Sequence, residues 1–348
     1  MLAGSDTAFA RASASSPSFA KEPLYGDSIR WTADRQNRMI EYFRTNEQQM
    51  LQKIDQEAPG CWIAAFEPTS AELAWLIERF GLEEEDARAA LDLEEVSRIE
   101  RNGDYTMFIL DTPVHDRSSH ERSYKTIPFS LFVTPTNVVS VCTVCKIPLV
   151  GQLMARKGVA STADAGAFAG DVLMASSAAY FMALRLINRR RIELMAAVER
   201  PSRKDLEDLY NLDSSLVYFK TSLATNDAVF EKHLRRFPFP AKDDRERFDD
   251  VMIENRQALE TTRIYSEILD STIEHFGLIM NHDLNRTMQV VATVSLVLCV
   301  PTAVAGLFGM NLLGIPFDDA PWGFGVVSGC TVLVSAALLL VLKKLRWF

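Results

Sequence analysis

The sequence predicts an α/β domain followed by a helical region, a long stalk helix and two C-terminal transmembrane helices. Three observations carry that reading. Apolar strand-like runs and turn signals mix with a helix start up to about Ile147, and after about Ala163 only helical periodicity remains. No charged side chain occurs between Arg286 and Asp318, or from Ala320 to Leu342. Each of these stretches exceeds the roughly 20 residues a helix needs to cross about 30 Å of hydrocarbon.

Taken in order, Met1 to Pro23 is Ala/Ser-rich with no apolar core of an export signal, and reads as a disordered tail. The α/β domain is expected over residues 24–163. Trp62 to Phe66 reads as a buried strand. Thr69-Ser-Ala-Glu72 has the capping-box pattern and opens a helix to Phe80, which Gly81 is placed to stop. Asn102-Gly103 between Val96–Glu100 and Tyr105–Leu110 signals a hairpin. Further strands are expected at Ile127–Val133 and Val138–Thr143, joined by the turn Thr134–Asn137.

A helical region and stalk are expected over residues 164–286. Helical periodicity runs from about Ala163 to Val198, breaks at Pro201, resumes to about Arg236 and ends at Phe237-Pro-Phe-Pro240. From Asp243 the next proline is Pro301, and apolar residues recur at helical spacing through Phe248, Val251, Leu259, Leu269 and Phe276. One helix from Asp243 to Phe308 would be about 99 Å long at 1.5 Å per residue. A domain of this size cannot bury such a rod, so it is either a partner in an oligomer or a stalk that enters the membrane.

The two-helix membrane region is expected over residues 287–348, with spans at Thr287–Phe308 and Trp322–Leu342. Arg286 precedes the first span, and Lys343, Lys344 and Arg346 follow the second. The connecting loop carries Asp318 and Asp319 and no Lys or Arg. Positive residues stay inside, so both termini are expected in the cytoplasm and the loop outside, in a multi-pass protein of the cell (inner) membrane.

Composition excludes several classes. The 348 residues carry 37 Lys plus Arg against 46 Asp plus Glu, an acidic balance that argues against a nucleic-acid partner. Five cysteines are too few for a disulfide scaffold. No phosphate-binding Gly-x-x-x-x-Gly-Lys loop and no Ser-His-Asp arrangement is present, so the chain is not expected to be an enzyme. Cys142-Thr-Val-Cys145 has metal-knuckle spacing but lacks a second pair, and His275 and His282 share a helix face that reads first as solvated stalk. Arg189-Arg-Arg191 reads as a solvated or interfacial helix face.

Within the first span, Ala292, Ser295, Cys299, Thr302 and Gly306 recur at spacings of 3, 4, 3 and 4 and share one face. Two readings stand: close helix packing through small residues, or a weakly polar pore lining. Two spans cannot enclose a pore, but several copies around an axis can.

Directly after this span comes Gly309-Met310-Asn311. With Asn285-Arg-Thr-Met288 and Gly306-Leu-Phe leading into it, and one last span after it, the sequence resembles the CorA family of divalent-cation channels. The resemblance implies a homopentamer in the lipid bilayer whose first spans line an axial pore. It places the selectivity filter on Gly309, Met310 and Asn311, with a ring of Asn311 amide oxygens at the outer mouth; Asn311 also suits a helix cap. It places Glu274, Asn285, Met288 and Val291 along the same conduit, with Ser295, Cys299, Thr302 and Gly306 above them. Cys299 stands where relatives carry a bulkier apolar residue, which widens that point. For Glu274 a solvated stalk position is the competing reading.

The resemblance further implies regulatory Mg²⁺ sites between subunits. Asp250 matches one ligand, whereas Ala89 fills the partner position, with Asp86 or Asp92 within a turn of it as substitutes. No prosthetic group is expected, Mg²⁺ being cargo and regulator. Asp318 and Asp319 either steer cations to the mouth or simply keep the loop outside. The function expected is channel-like, potential-driven uptake of Mg²⁺, with Co²⁺ or Ni²⁺ as further permeants. Gly314-Ile-Pro316 points weakly to the ZntB branch of the superfamily, hence to proton-coupled zinc transport, and a non-conducting membrane scaffold is the alternative from another class.

Overall fold

The strand β3 (Trp62–Phe66) is apolar throughout and wholly buried, as a strand covered on both faces must be. Its side chains alternate: Trp62, Ala64 and Phe66 enter one core, Ile63 and Ala65 the other. In this computed structural model, which describes residues 39–116, 123–144, 147–196, 202–233, 242–310 and 321–345, β3 pairs in parallel with β7 (Val138–Cys142). All other neighbours are antiparallel. They are β1 (Ile40–Thr45), β2 (Leu51–Ile54), β4 (Arg98–Asn102), β5 (Tyr105–His115) and β6 (Tyr124–Val133), in the order β2-β1-β3-β7-β6-β5-β4.

Helices cover both faces of this sheet. On one side lie α1 (Ser70–Phe80) and α2 (Glu84–Ala89), which bury Leu73, Leu76, Ala87 and Ala89. On the other lie α3 (Pro148–Ala155), the start of α4 (Ala165–Ala196) and the base of α6 (Lys242–Phe308), with Leu153, Phe168, Phe248 and Val251. The capping box is present as expected: Thr69 Oγ1 accepts from the Glu72 amide at 3.3 Å, and Glu72 Oε2 accepts from the Thr69 amide at 2.9 Å. Glu72 Oε1 also accepts from the Met39 amide at 2.8 Å, tying α1 to the start of β1. Gly81 ends the helix at φ 65°, in the left-handed region that favours glycine. Thr69→Ala is expected to cost about 1 kcal/mol, read as a lower urea midpoint.

The hairpin sits one residue later than the sequence suggested. Asn102 pairs with Tyr105, so Gly103-Asp104 forms the loop, with Gly103 at φ 49°. Asn102 uses its side chain elsewhere, donating to Asp86 Oδ2 at 2.5 Å. The strands β1 and β2 had no clear signal, because only a few of their residues are buried at this edge of the sheet.

Helices α4, α5 (Arg203–His233) and α6 form a bundle around Tyr180, Leu184, Leu216, Phe219, Leu269 and Phe276. At 67 residues α6 is about 100 Å long, close to the expected rod. The apolar α7 (Gly323–Lys344) packs back along its far end. Among the described residues three helices are long and apolar enough to cross a membrane, and burial separates them. The most apolar stretch of α4 is 78% buried within the fold, whereas those of α6 and α7 are 6% buried. Thus α4 is a core helix, whereas the apolar stretches of α6 and α7 are left almost uncovered by the rest of the chain.

Beneath α4 and α5, the backbone of Asp111 on β5 is clamped. Its carbonyl accepts from Tyr180 Oη and Asn226 Nδ2, each at 3.1 Å, and its amide donates to Asn226 Oδ1 at 3.2 Å. Burial pushes the Asp111 carboxyl above the usual carboxylate range, against the opposing hydrogen bond of Ser222. A raised folded-state value means the native chain holds this proton to higher pH than the unfolded chain. The group's stabilising contribution is therefore present in acid and lost as pH rises through the folded value. Asp111→Asn, neutral throughout, is expected to raise the melting temperature at neutral pH and to lose that advantage in acid.

Candidate functional site

The membrane end of α6 has two unlike sides. Thr293, Val297, Val300, Pro301 and Val304 are buried or half-buried against α7. At 100° per residue, Ser295, Cys299, Thr302 and Gly306 centre about 180° from them, and with Ala292 all are exposed. A Cβ added at Gly306 would meet nothing within 4 Å. Small residues here therefore do not serve packing between the chain's own two apolar helices; the face is presented outward. Thr302 Oγ1 donates to the Leu298 carbonyl at 2.8 Å, which spends its proton on the helix and leaves oxygen lone pairs for another donor.

The same side continues toward the soluble domain. Val291 and Met288 are 60% and 64% exposed. Asn285 and Glu274 are exposed and eleven residues apart, about 20° from three full turns, so they share that side. Residues 281–288 are exposed all round in a single chain. His275 and His282 are exposed, with His282 Nδ1 3.9 Å from Asp283. Among the described residues no group of three or more His, Cys, Asp or Glu side chains is placed to hold a metal ion.

At the tip of α6, the Gly309 amide donates to the Ala305 carbonyl at 2.9 Å, and a Cβ on Gly309 would stand 3.0 Å from that oxygen. A side chain here would crowd the Ala305 carbonyl, and glycine avoids that contact. Met310 follows, 48% exposed, its amide 3.4 Å from the Leu307 carbonyl. Asn311, Asp318, Asp319 and the Gly314-Ile-Pro316 stretch lie outside the described residues, as do the N-terminal tail, Cys145 and the Phe237–Pro240 break.

The three carboxylates expected to regulate are not together in one chain. Asp250 is exposed and lines a cavity with Glu246, Arg247, Arg156 and Asp171. Asp171, which the sequence did not single out, is 2% exposed; it lies 3.4 Å from both Arg156 and Arg247 and accepts from the Ala160 amide at 2.7 Å. Asp86 lies on the opposite side of the sheet, 4% exposed, where Oδ2 accepts from Tyr105 Oη and Asn102 Nδ2, each at 2.5 Å. Burial, and then the bond to Asp86, push the Tyr105 hydroxyl above its ordinary value. Asp86 thus fastens α2 to the β4–β5 hairpin. Asp92 is exposed just beyond α2, its Oδ1 accepting from the Glu94 amide at 3.0 Å.

The remaining motifs are structural. Arg190 pairs with Asp208 at 2.6 Å across α4 and α5, Arg189 with Glu193 at 3.4 Å, and Arg191 with Asn188. Arg189 is thus on the exposed face, whereas Arg190 is half-buried at the junction of α4 and α5. Cys142 is buried in β7 and contacts the Val144 carbonyl through Sγ at 3.2 Å.

An α/β domain joined by one long helix to two exposed apolar helices defines a class: a chain with a packed α/β body and an end long and apolar enough to cross a membrane. The profile of the family described as CorA-like Mg²⁺ transporter protein matches residues 57–344, and the chain belongs to that family, within the CorA/ZntB superfamily of membrane ion transporters. It is similar to the cobalt/magnesium transport protein CorA of Methanocaldococcus jannaschii, 24% identical over 293 residues, covering 82% of this chain and 90% of the relative. It is also similar to the zinc transport protein ZntB of Pectobacterium carotovorum, 22% identical, covering 84% of this chain and 89% of the relative. Among solved structures, the CorA magnesium transporter of M. jannaschii superposes with a TM-score of 0.68 at 22% identity, covering 89% of this chain and 99% of that one. Full-length CmaX matches with a TM-score of 0.62 at 18% identity, over 90% and 100% of the two chains. The α/β domain and long helices expected from sequence are thus those of a CorA-like divalent-cation transporter.

Proposed function

We propose that this protein is a Mg²⁺ channel, with Co²⁺ and Ni²⁺ as further permeants, in which five copies turn their α6 helices toward one axial path. The observation that carries the reading is the small, weakly polar face of α6, exposed and directed away from α7. In a closed ring of copies that face meets the axis, while α7 meets lipid. Ser295, Cys299, Thr302 and Gly306 then form the upper conduit, Val291 and Met288 apolar collars below, and Asn285 and Glu274 the inner mouth.

Mg²⁺ demands octahedral oxygen coordination and gives up its waters reluctantly. A ring of Asn311 amide oxygens, presented by the Gly309-Met310 helix end, would hold the hydrated ion through those waters without a charge to trap it. Asp318 and Asp319 would concentrate cations outside, and both termini would lie in the cytoplasm. The driving force is the membrane potential, about 2.3 kcal/mol per charge per 100 mV and twice that for a divalent ion. Cytoplasmic Mg²⁺ would act at Asp250 with Asp92 or Asp86 of a neighbouring copy; Asp92 is the freer of the two.

A second reading, proton-coupled zinc transport, is favoured by the ZntB relatives, whose match covers 84% of the chain. Uptake of Mg²⁺ and of Zn²⁺ into vesicles holding the purified protein, with and without an imposed pH gradient, separates the two. Mg²⁺ uptake that follows voltage and ignores the gradient supports the channel. Zn²⁺ uptake that requires the gradient replaces it.

A further inference from the structure

Pro301 stands inside α6, within its apolar stretch. Proline has no N–H, so the carbonyl of Val297 loses the donor that a regular helix would supply. In an apolar surrounding that carbonyl is re-satisfied by a neighbouring side chain, an ordered water or a local adjustment of the helix.

The apolar helices hold hydroxyls in two states. Thr287, Thr302 and Thr331 donate to the carbonyl four residues back, at 2.9, 2.8 and 2.8 Å. Thr293 and Ser335 do not: their hydroxyl oxygens are buried and have no hydrogen-bond partner among the described residues. Ser335 stands on α7 in a groove whose facing wall is Val297, Leu298 and Pro301 of α6, with Thr331 and Leu339 beside it. The Thr331 proton is already spent on Val327, and Thr293 does not line the groove. The groove therefore combines one acceptor deprived of its donor with one donor that has no acceptor.

We infer that the Ser335 hydroxyl is the substitute donor for the Val297 carbonyl, so that α7 braces α6 at the proline. As it stands the Ser335 hydroxyl has no acceptor within bonding distance, so the bond requires the side chain to rotate between its staggered wells. Ser335 is a positioning residue: Cys299 and Thr302 lie within two residues of Pro301 on α6, so the local course of the helix at the proline sets where they stand. The inference rests on the channel reading for its effect on flux, but not for its effect on stability.

Four proteins test it: the wild type, Ser335→Ala, Pro301→Ala and the double variant, with Ser335→Thr as the conservative control. Each is measured as Mg²⁺ uptake in vesicles and as the melting temperature of the assembled protein in detergent. Ser335→Ala is expected to lower uptake about three- to tenfold, the factor one hydrogen bond carries, and to lower the melting temperature. Ser335→Thr is expected to retain both. In the Pro301→Ala background, where the backbone N–H is restored, Ser335→Ala is expected to change neither, a non-additivity that a merely structural serine would not produce. Equal losses in both backgrounds, or no melting shift from Ser335→Ala beside the native proline, overturn the inference. A wild type without uptake of any divalent metal overturns the channel reading, while the melting cycle still decides the role of Ser335.

Discussion

Asn311→Ala is expected to reduce Mg²⁺ uptake by roughly fiftyfold or more while leaving assembly intact. Each copy would lose one amide oxygen that accepts from a water of the hydrated ion. A single such hydrogen bond contributes about 0.5–1.5 kcal/mol, so five amount to roughly 2.5–7.5 kcal/mol. Every 1.4 kcal/mol is a factor of ten, so even the low end gives a loss of this size. The backbone should tolerate the change, because the adjoining helix end is fastened by the Gly309 amide, which donates to the Ala305 carbonyl at 2.9 Å. Uptake assays alongside sizing of the detergent-solubilised protein separate a filter defect from an assembly defect. A non-conducting scaffold would show no change in metal flux at all.

Phe219→Ala is expected to be the most damaging single change to the stalk bundle. Phe219 is fully buried, packs edge-on against Tyr180 at 5.2 Å between ring centroids, and meets Tyr124 at 6.0 Å. Truncating such a ring removes buried apolar area and leaves a cavity, together about 3–5 kcal/mol. Against a typical total of about 5–15 kcal/mol, that is a large share of the fold's stability. The check is the urea midpoint of the full chain in detergent, with Phe219→Leu, which fills more of the space, expected to fall less. A midpoint unchanged by Phe219→Ala would mean that the bundle does not depend on this core.

The parts of the fold legible in the sequence were those written in local chemistry. Trp62–Phe66 is an uninterrupted apolar run, Thr69 and Glu72 satisfy each other's backbone groups, and the long helix lacks any proline between Asp243 and Pro301. What escaped depended on distant partners. The strands β1 and β2 are short edge elements with polar outward faces, and their pairing is set by β3. The carboxylate of Asp86 is like any other in sequence, and only the fold aims Tyr105 and Asn102 at it. The small-residue face of α6 was readable as a pattern, but its direction was not. Whether it met α7 or turned away needed the packing of Thr293, Val297 and Pro301. Ser335 carried no signal, because a serine in an apolar helix ordinarily donates to its own backbone.

Cys299 offers the most direct test of the pore. It is exposed on the face turned from α7, and Cys330 is exposed on α7 itself. If copies of α6 enclose a water-filled path, a small cationic methanethiosulfonate reagent added from the aqueous phase should modify Cys299 and block Mg²⁺ uptake in the wild type, and should have no effect on Cys299→Ser. Uptake equally insensitive in both proteins, with Cys299 reached only by lipid-soluble reagents, would place that face against hydrocarbon and contradict the shared conduit.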